Sequence, residues 1–147
     1  MHTVNGGLTW TQEPLEVTDG DELSLYSLSR LANGDLLLID AGCELDGYAS
    51  DITRTFPANG RFSGPQRTLY ELVLASQDAA VAATKAGARF TDPHEATVRV
   101  LAQGMLDLGL LDRNKVGTLD DVIAQRAYFP FYMHRTGHWL GMDVHDC

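Results

Sequence analysis

The sequence predicts an α+β domain in which a β-hairpin is followed by amphipathic helices. Between residues 36 and 56, apolar and β-branched residues form two short runs separated by turn residues, as in paired strands. Between residues 63 and 109, apolar residues recur instead at the three- and four-residue spacing of helices. At 147 residues, 44% of them apolar and 21% charged, the chain is long enough for one domain with its own core.

The region before the hairpin is weakly patterned. A short alternation of apolar and polar residues indicates a strand within Leu23–Leu28. A turn signal follows at Asn33-Gly34-Asp35, where the character of the chain changes. We therefore divide the chain into an atypical N-terminal segment, residues 1–32, and a domain over residues 33–147.

Two strands are predicted after this turn. Leu36–Asp40 is an apolar run between glycine-containing turns, as expected of a buried strand. Tyr48–Phe56 follows an Asp-Gly turn, is rich in β-branched and aromatic residues, and ends at Pro57. We expect the two strands to pair as an antiparallel hairpin.

Two longer helices are predicted next, over residues 63–85 and 92–109, because each begins with a capping-box pattern and ends at or near a glycine. Asp120–Arg126 is predicted as a further short helix. Tyr128–Cys147 is expected to be loop and strand, because proline and glycine interrupt it.

Composition excludes several functions. Eleven Lys and Arg against 20 Asp and Glu give a net charge of −9, which argues against nucleic acid as a partner. Two cysteines are too few for a disulfide framework and favour a reducing compartment. The sequence has no secretory signal pattern and no apolar run near the roughly 20 residues that span a bilayer. We expect a cytoplasmic protein without membrane contact.

Two aspartates of the hairpin are candidate metal ligands. Asp40 ends the first strand and Asp51 lies inside the second, in a run otherwise suited to burial where Asp is depleted. Two close carboxylates repel each other unless they share a proton or bind a divalent cation. The alternative is that Asp40 caps a turn and Asp51 faces water. Glu44 and Asp46, in the connecting turn, are assigned no role.

A group of histidines lies near the end of the sequence: His134, His138 and His145. Histidine is the commonest side chain for binding transition metals or moving protons near neutral pH. Any one of them alone is more often structural, so their proximity to one another is what suggests a site. His2 and His94 are assigned no role.

Two carboxylates and one imidazole suit Mn, Fe, Co or Zn. Three ligands leave coordination positions open, so a bound water could become nucleophilic, as in catalytic metal sites. The sequence lacks the common motifs of serine hydrolases, zincins, P-loop proteins and dinucleotide-binding proteins. Metal-assisted attack by water is therefore the chemistry that the pattern favours.

Several stretches are more specific than any short motif: Leu38–Glu44, Gly47-Tyr48, Ser50–Phe56, Asn59–Phe62, and Met133-His134 followed by Gly137–Asp146. Through them, the sequence from about residue 33 to residue 147 resembles the Xaa-Pro aminopeptidases, or aminopeptidase P. These enzymes belong to metallopeptidase family M24 and have the pita-bread (creatinase/aminopeptidase) fold. The resemblance implies an enzyme that hydrolyses the N-terminal bond of peptides with proline at the second position.

The resemblance also implies two divalent cations, usually Mn²⁺, held by two Asp, one His and two Glu, with a metal-bridging hydroxide as the nucleophile. Asp40, Asp51 and His138 match the first three ligands. His134 and His145 match family histidines that line the substrate cleft and hydrogen-bond the substrate. A homo-oligomer of the longer enzyme is compatible with the resemblance.

The sequence departs from the family pattern in three ways. The family places both glutamate ligands downstream of the segment that ends here at Cys147, a patterned segment without a turn or polar tail. Residues 22–30 lack the active-site histidine that the family has before its first aspartate. The family's separate N-terminal domain is not matched either.

We therefore expect a truncated chain that holds the first half of the pita-bread fold and the start of the second. Such a chain would have an uncovered apolar face, an incomplete peptidase activity and at most one weakly bound metal ion. Two alternatives remain. One is a non-catalytic peptide- or protein-binding module on the same fold. The other is an α+β domain in which the histidines only pack.

Overall fold

The computed structural model describes residues 22–25, 34–139 and 142. The described residues fall into two compact units: the first comprises those up to residue 64 and from residue 138 onward, and the second comprises residues 65–137. The first unit contains the described strands, and the second contains nearly all of the described helical residues.

An antiparallel sheet organises the first unit. Its strands are β1 (Glu22–Leu25), β2 (Leu36–Leu45), β3 (Tyr48–Ala49) and β4 (Ile52–Pro57). β2 is central and pairs antiparallel with each of the others. Its partners β3 and β4 share one register, so they form a single hairpin with β2 and confirm that prediction. β1 confirms the predicted strand within Leu23–Leu28 over Leu23–Leu25, and residues 26–28 lie outside the described part of the chain.

The hairpin turns through two residues, Asp46 and Gly47, which have φ values of 52° and 82°. Positive φ at both central residues is typical of the type I′ turn, whose twist matches that of paired strands. Asp and Gly adopt this conformation at low cost. The Asp-Gly pair therefore sets the register of the hairpin, and with it the positions of the candidate aspartates.

Two expectations about the strands were wrong. β2 is ten residues long and continues past Asp40, and the second strand is interrupted at Ser50 and Asp51. The strands are also not buried, since Leu38 is 58% and Ile52 is 53% exposed. An apolar run shows that a strand is suited to burial, but burial itself requires a second packed layer. This exposure agrees with the expected uncovered apolar face.

The described helices are α1 (Gly64–Ala83), α2 (Asp92–Asp107), α3 (Arg113–Val116) and α4 (Leu119–Ala124). They confirm the two longer predicted helices and the short one near residue 120. α3 was not predicted, because four residues are too few to show a helical period.

The core of the second unit is built around α2. Its buried cluster comprises Val98, Leu101, Ala102, Met105, Leu106, Leu111, Val122 and Tyr128. The α2 members recur at helical spacing, which places them on one side of the helix. Leu72 of α1 packs against the cluster, and a Cβ on Gly104 would lie only 3.0 Å from the Cγ of Leu72. Glycine therefore leaves room for the Leu72 side chain against α2.

The capping box predicted at the start of α2 was wrong. The N-cap is Thr91, whose side chain makes no capping hydrogen bond. Asp92 instead accepts hydrogen bonds from the backbone N–H and the Nε of Arg89, at 2.9 and 2.7 Å. A capping box does occur at α4, between Thr118 and Asp121.

The remaining expectations concern membrane-spanning helices and the two ends of the chain. Within the described residues, none of the helices combines the length and apolar character needed to cross a bilayer. Residues 128–139 form turns, bends and irregular chain without the expected strand. The atypical segment, except for β1, and residues 140–141 and 143–147 lie outside the described part of the chain.

Candidate metal centre

The hairpin register places the two candidate aspartates on one face of the sheet. Asp40 lies opposite Thr53, and the next pair is Ala41 with Ile52. Continuing this register puts Asp51 across from Gly42. Opposite residues share a face and alternate residues of a strand return to it, so Asp40 and Asp51 are diagonal neighbours. Such neighbours are typically about 7–8 Å apart between Cα atoms.

Asp51 is paired with a histidine that lies 87 positions away. The Nε2 of His138 is 2.8 Å from the Oδ2 of Asp51. These side chains are 36% and 27% exposed, so water reaches the pair. The structure therefore brings together two of the three predicted ligands, both within the first unit.

The imidazole of His138 is oriented by its own backbone neighbour. Its Nδ1 lies 2.9 Å from the carbonyl oxygen of Trp139. A carbonyl oxygen can only accept, so this hydrogen bond forms in the tautomer that carries the proton on Nδ1. Histidines that ligate metals commonly make this kind of bond with the nitrogen that does not bind the metal, which fixes the ring. Nε2 is thus the nitrogen directed at Asp51.

Asp40 is held by the residue opposite it. The hydroxyl of Thr53 donates a hydrogen bond to Oδ1 of Asp40 at 2.9 Å. This bond occupies one site on one oxygen of the carboxylate and leaves the other oxygen for a further partner. Sequence reasoning missed Thr53, although its place two residues after Asp51 on an alternating strand is a usable signal.

Gly42 is a second residue that sequence reasoning missed. A Cβ at this position would overlap the carbonyl oxygen of Ser50 and lie 2.9 Å from its carbonyl carbon. The two strands are drawn together there, because the Ser50 N–H donates to the Cys43 carbonyl at 2.8 Å and the Cys43 N–H donates to Oγ of Ser50 at 3.0 Å. Gly42 therefore permits the backbone approach that positions the neighbouring Asp51.

The other predicted residues are not gathered at this pair by the described structure. Among the described residues, no three His, Cys, Asp or Glu side chains lie together so that they could hold a metal ion. His134 is exposed and belongs to the second unit. His145 lies outside the described residues. The ligand and cleft roles of these residues therefore stay predictions.

The environment of Asp51 differs from the sequence expectation. The aspartate was expected inside a buried strand, whereas it lies in the interruption between β3 and β4 and is exposed. In chemical terms the donor pair fits a first-row divalent cation, because it combines a carboxylate oxygen with an imidazole nitrogen.

Comparison with known proteins decides the family. A family model described as metallopeptidase family M24 matches residues 11–147. The chain belongs to metallopeptidase family M24. Membership implies a divalent metal ion, since the family consists of metallopeptidases.

Relatives within family M24 extend this result. The Xaa-Pro aminopeptidase of Haemophilus influenzae is 53% identical over 116 residues, which are 79% of this chain and 26% of that protein. Aminopeptidase PepP of Pseudomonas aeruginosa has a solved structure that is 51% identical, with a TM-score of 0.77 over 87% of this chain and 30% of that one. A zinc-substituted Escherichia coli aminopeptidase P in complex with product is 46% identical, with a TM-score of 0.75 over 80% of this chain and 26% of that one.

These comparisons show how much of each relative the chain covers and which fold it has over that part. The chain spans between a quarter and a third of the length of these relatives. Over that part it has the pita-bread fold of aminopeptidase P, as the resemblance implied.

Proposed function

We propose that this chain contributes to the active site of a metal-dependent Xaa-Pro aminopeptidase. The observation that carries the proposal is the contact between His138 and Asp51 at 2.8 Å, which joins an imidazole and a carboxylate from distant parts of the sequence. Asp40 stands on the same face of the hairpin, as the register requires. The names of the relatives supply the reaction class.

In this proposal Asp40, Asp51 and His138 are metal ligands. When bound, two divalent cations would supply a bridging hydroxide as nucleophile and polarise the scissile carbonyl; Mn²⁺ is the proposed metal. The chain's own contribution is orientation. Thr53 holds the Asp40 carboxylate, and the Trp139 carbonyl keeps the proton of His138 on Nδ1, so that Nε2 faces the ligand side.

His134 and His145 are proposed to hydrogen-bond the substrate, a peptide with proline at its second position. An imidazole can donate or accept near neutral pH, so each could support a carbonyl or an amide of the peptide. The resemblance also implies two glutamate ligands, but only Asp40, Asp51 and His138 of this sequence match ligands of the family. The proposed site of this chain is therefore partial, with at most one weakly held cation.

A second candidate function is a non-catalytic peptide- or protein-binding module. It is favoured by one observation: across the described residues, no three potential ligands converge. If the chain is such a binding module, the contact between His138 and Asp51 is a structural ion pair. A metal titration together with a cleavage assay separates the two functions.

The experiment is a calorimetric titration of Mn²⁺ into the 147-residue chain. We expect one weak site, and Asp51→Asn should abolish it. The matched control is Asp46→Asn, which removes the same charge at a turn position where φ is 52° and Asn is well tolerated. Tight two-site binding would contradict the partial site, and binding that survives Asp51→Asn would contradict the ligand assignment. Cleavage of a Gly-Pro or Arg-Pro peptide by this chain would show that the activity is more complete than proposed.

The remaining proposals concern the cellular setting. A net charge of −9 supports a protein that does not bind nucleic acid. We also propose a cytoplasmic location, no membrane partner, and a longer enzyme that forms a homo-oligomer. Fractionation of cells and the measured mass of the longer enzyme in solution test these points.

A further inference from the structure

A polar cluster in the second unit, separate from the candidate metal centre, consists of His94, Tyr132 and Thr136. The Nδ1 of His94 is 3.0 Å from the Thr136 hydroxyl, and the Tyr132 hydroxyl is 2.7 Å from the same oxygen. The rings of His94 and Tyr132 stack, with centroids 6.0 Å apart and planes 26° apart. All three residues are half-buried. No sequence pattern predicts a role for any of the three.

This cluster fastens an irregular segment to a helix. His94 lies in the first turn of α2, whereas Thr136 is 42 positions away in the chain that follows α4. Tyr132 packs against the buried core, and its N–H donates to the Tyr128 carbonyl at 3.0 Å. The segment is thus tied at residue 132 by packing and at residue 136 by the shared hydroxyl.

The residues between these two ties are exposed. Met133 is 50% exposed, and His134 and Arg135 are exposed as well. Exposed irregular chain has few contacts of its own and becomes mobile unless its ends are held. His134 is central in this short stretch, so its position depends on the ties on either side.

We propose that His94 is a positioning residue that acts through Thr136 to hold residues 132–136, and with them the imidazole of His134, in place beside α2. The inference deepens the proposed function and rests on it, because that function makes His134 a substrate contact. His94 itself touches neither substrate nor metal in this assignment.

The protonation of the cluster is compatible with this role. Burial, and then the positive charges of Arg135 and Arg126, lower the pKa of His94, which favours the neutral ring. Burial raises the pKa of Tyr132, which keeps its hydroxyl protonated. A hydroxyl can donate one hydrogen bond and accept two, so Thr136 can satisfy both partners with either neutral tautomer of His94.

The first test measures the order of the segment by amide nitrogen relaxation in the 147-residue chain. Thr136→Val keeps the shape of the side chain and removes both hydrogen bonds, and Thr136→Ser retains the hydroxyl as the matched control. We expect the order parameter of the His134 amide to fall from about 0.85 to below about 0.6 in the valine variant and to stay high in the serine variant. Tyr132→Phe removes one bond and should give an intermediate loss.

Two outcomes of this test overturn the inference. One is an unchanged His134 order parameter in Thr136→Val. The other is an equal loss of order in the amides of Leu101 and Ala102, because that would show general loosening of the core rather than release of one segment.

The second test separates this inference from the proposed function. The ring signals of His134 are followed while the tripeptide Gly-Pro-Gly is added in the presence of Zn²⁺, which is diamagnetic. We expect the shift seen in the parent chain to be lost in Thr136→Val and kept in Thr136→Ser. If the parent chain shows no shift, the substrate role proposed for His134 fails. If the parent and the valine variant shift equally, only the positioning role of His94 fails.

Discussion

Gly42→Ala is the most direct test of how the hairpin positions Asp51. The new Cβ would overlap the carbonyl oxygen of Ser50 and lie 2.9 Å from its carbonyl carbon. The obstacle is backbone rather than a flexible side chain, so strand β2 and residue 50 must separate. Overpacking of this kind costs about 1–3 kcal/mol, and a backbone clash belongs near the upper end of that range.

The consequence is measurable at a single amide. The Ser50 N–H donates to the Cys43 carbonyl at 2.8 Å, so its hydrogen exchange reports the opening of the hairpin at this point. A loss of about 3 kcal/mol corresponds to exchange faster by about 100-fold, since roughly 1.4 kcal/mol is a factor of ten. Amides of α2 serve as an internal reference, because they lie in the other unit.

Gly64→Ala is the matched control. A Cβ at Gly64 meets no atom within 4 Å, and the residue begins α1. There the change should be neutral or stabilising by up to about 1 kcal/mol. If Gly42→Ala leaves the exchange of the Ser50 amide within twofold of the parent, the close approach of the two strands does not constrain Asp51 and the reasoning fails.

Three further predictions concern the second unit, and each is checked by urea unfolding followed by far-UV circular dichroism. Val122→Ala should lower the free energy of unfolding by about 2–3 kcal/mol, because the side chain is 0% exposed and its removal leaves a cavity. A decrease in the free energy of unfolding below about 0.5 kcal/mol would contradict the buried position of Val122. Thr118→Ala removes the hydroxyl that caps α4 and should cost about 1 kcal/mol, whereas an equal stability would mean that the capping box contributes nothing. Burial and neighbouring arginines lower the pKa of His94 in the folded state, so the unfolded state binds more protons below about pH 6.5. The contribution of His94 to the free energy of unfolding is therefore complete above about pH 6.5 and declines as the pH falls towards the pKa of the folded state. His94→Gln should weaken this decline. If the variant and the parent lose stability identically with falling pH, His94 is not the group responsible.

Much of the fold could be predicted because its signals are local. The Asp-Gly turn encodes the hairpin through the positive φ values that these residues accept. The spacing of apolar residues from Val98 to Leu106 encodes the buried side of α2. The predicted N-cap of α2 failed because two local interactions compete for the same side chain. Asp92 has the residue type of an N-cap, yet the preceding Arg89 engages its carboxylate instead.

The candidate site shows the same division. The chemical types of Asp40, Asp51 and His138 were readable as metal donors, and the family comparison agrees with the metallopeptidase class. The predicted hairpin already indicated that Asp40 and Asp51 are neighbours, whereas the contact of His138 with Asp51 and the roles of Thr53 and Gly42 were not readable. Those depend on how distant segments pack and on how closely two backbones approach.

By itself, the sequence determined the hairpin with its Asp-Gly turn, the two longer helices and the donor chemistry, because each of these depends on neighbours within a few residues along the chain. Only the tertiary structure decided that the imidazole of His138 meets Asp51, that His94 meets Thr136, and that the apolar strands are exposed. The first of these contacts joins residues that are 87 positions apart in the sequence, and the second joins residues that are 42 positions apart. Such contacts arise from how whole elements pack, and no local pattern encodes that packing.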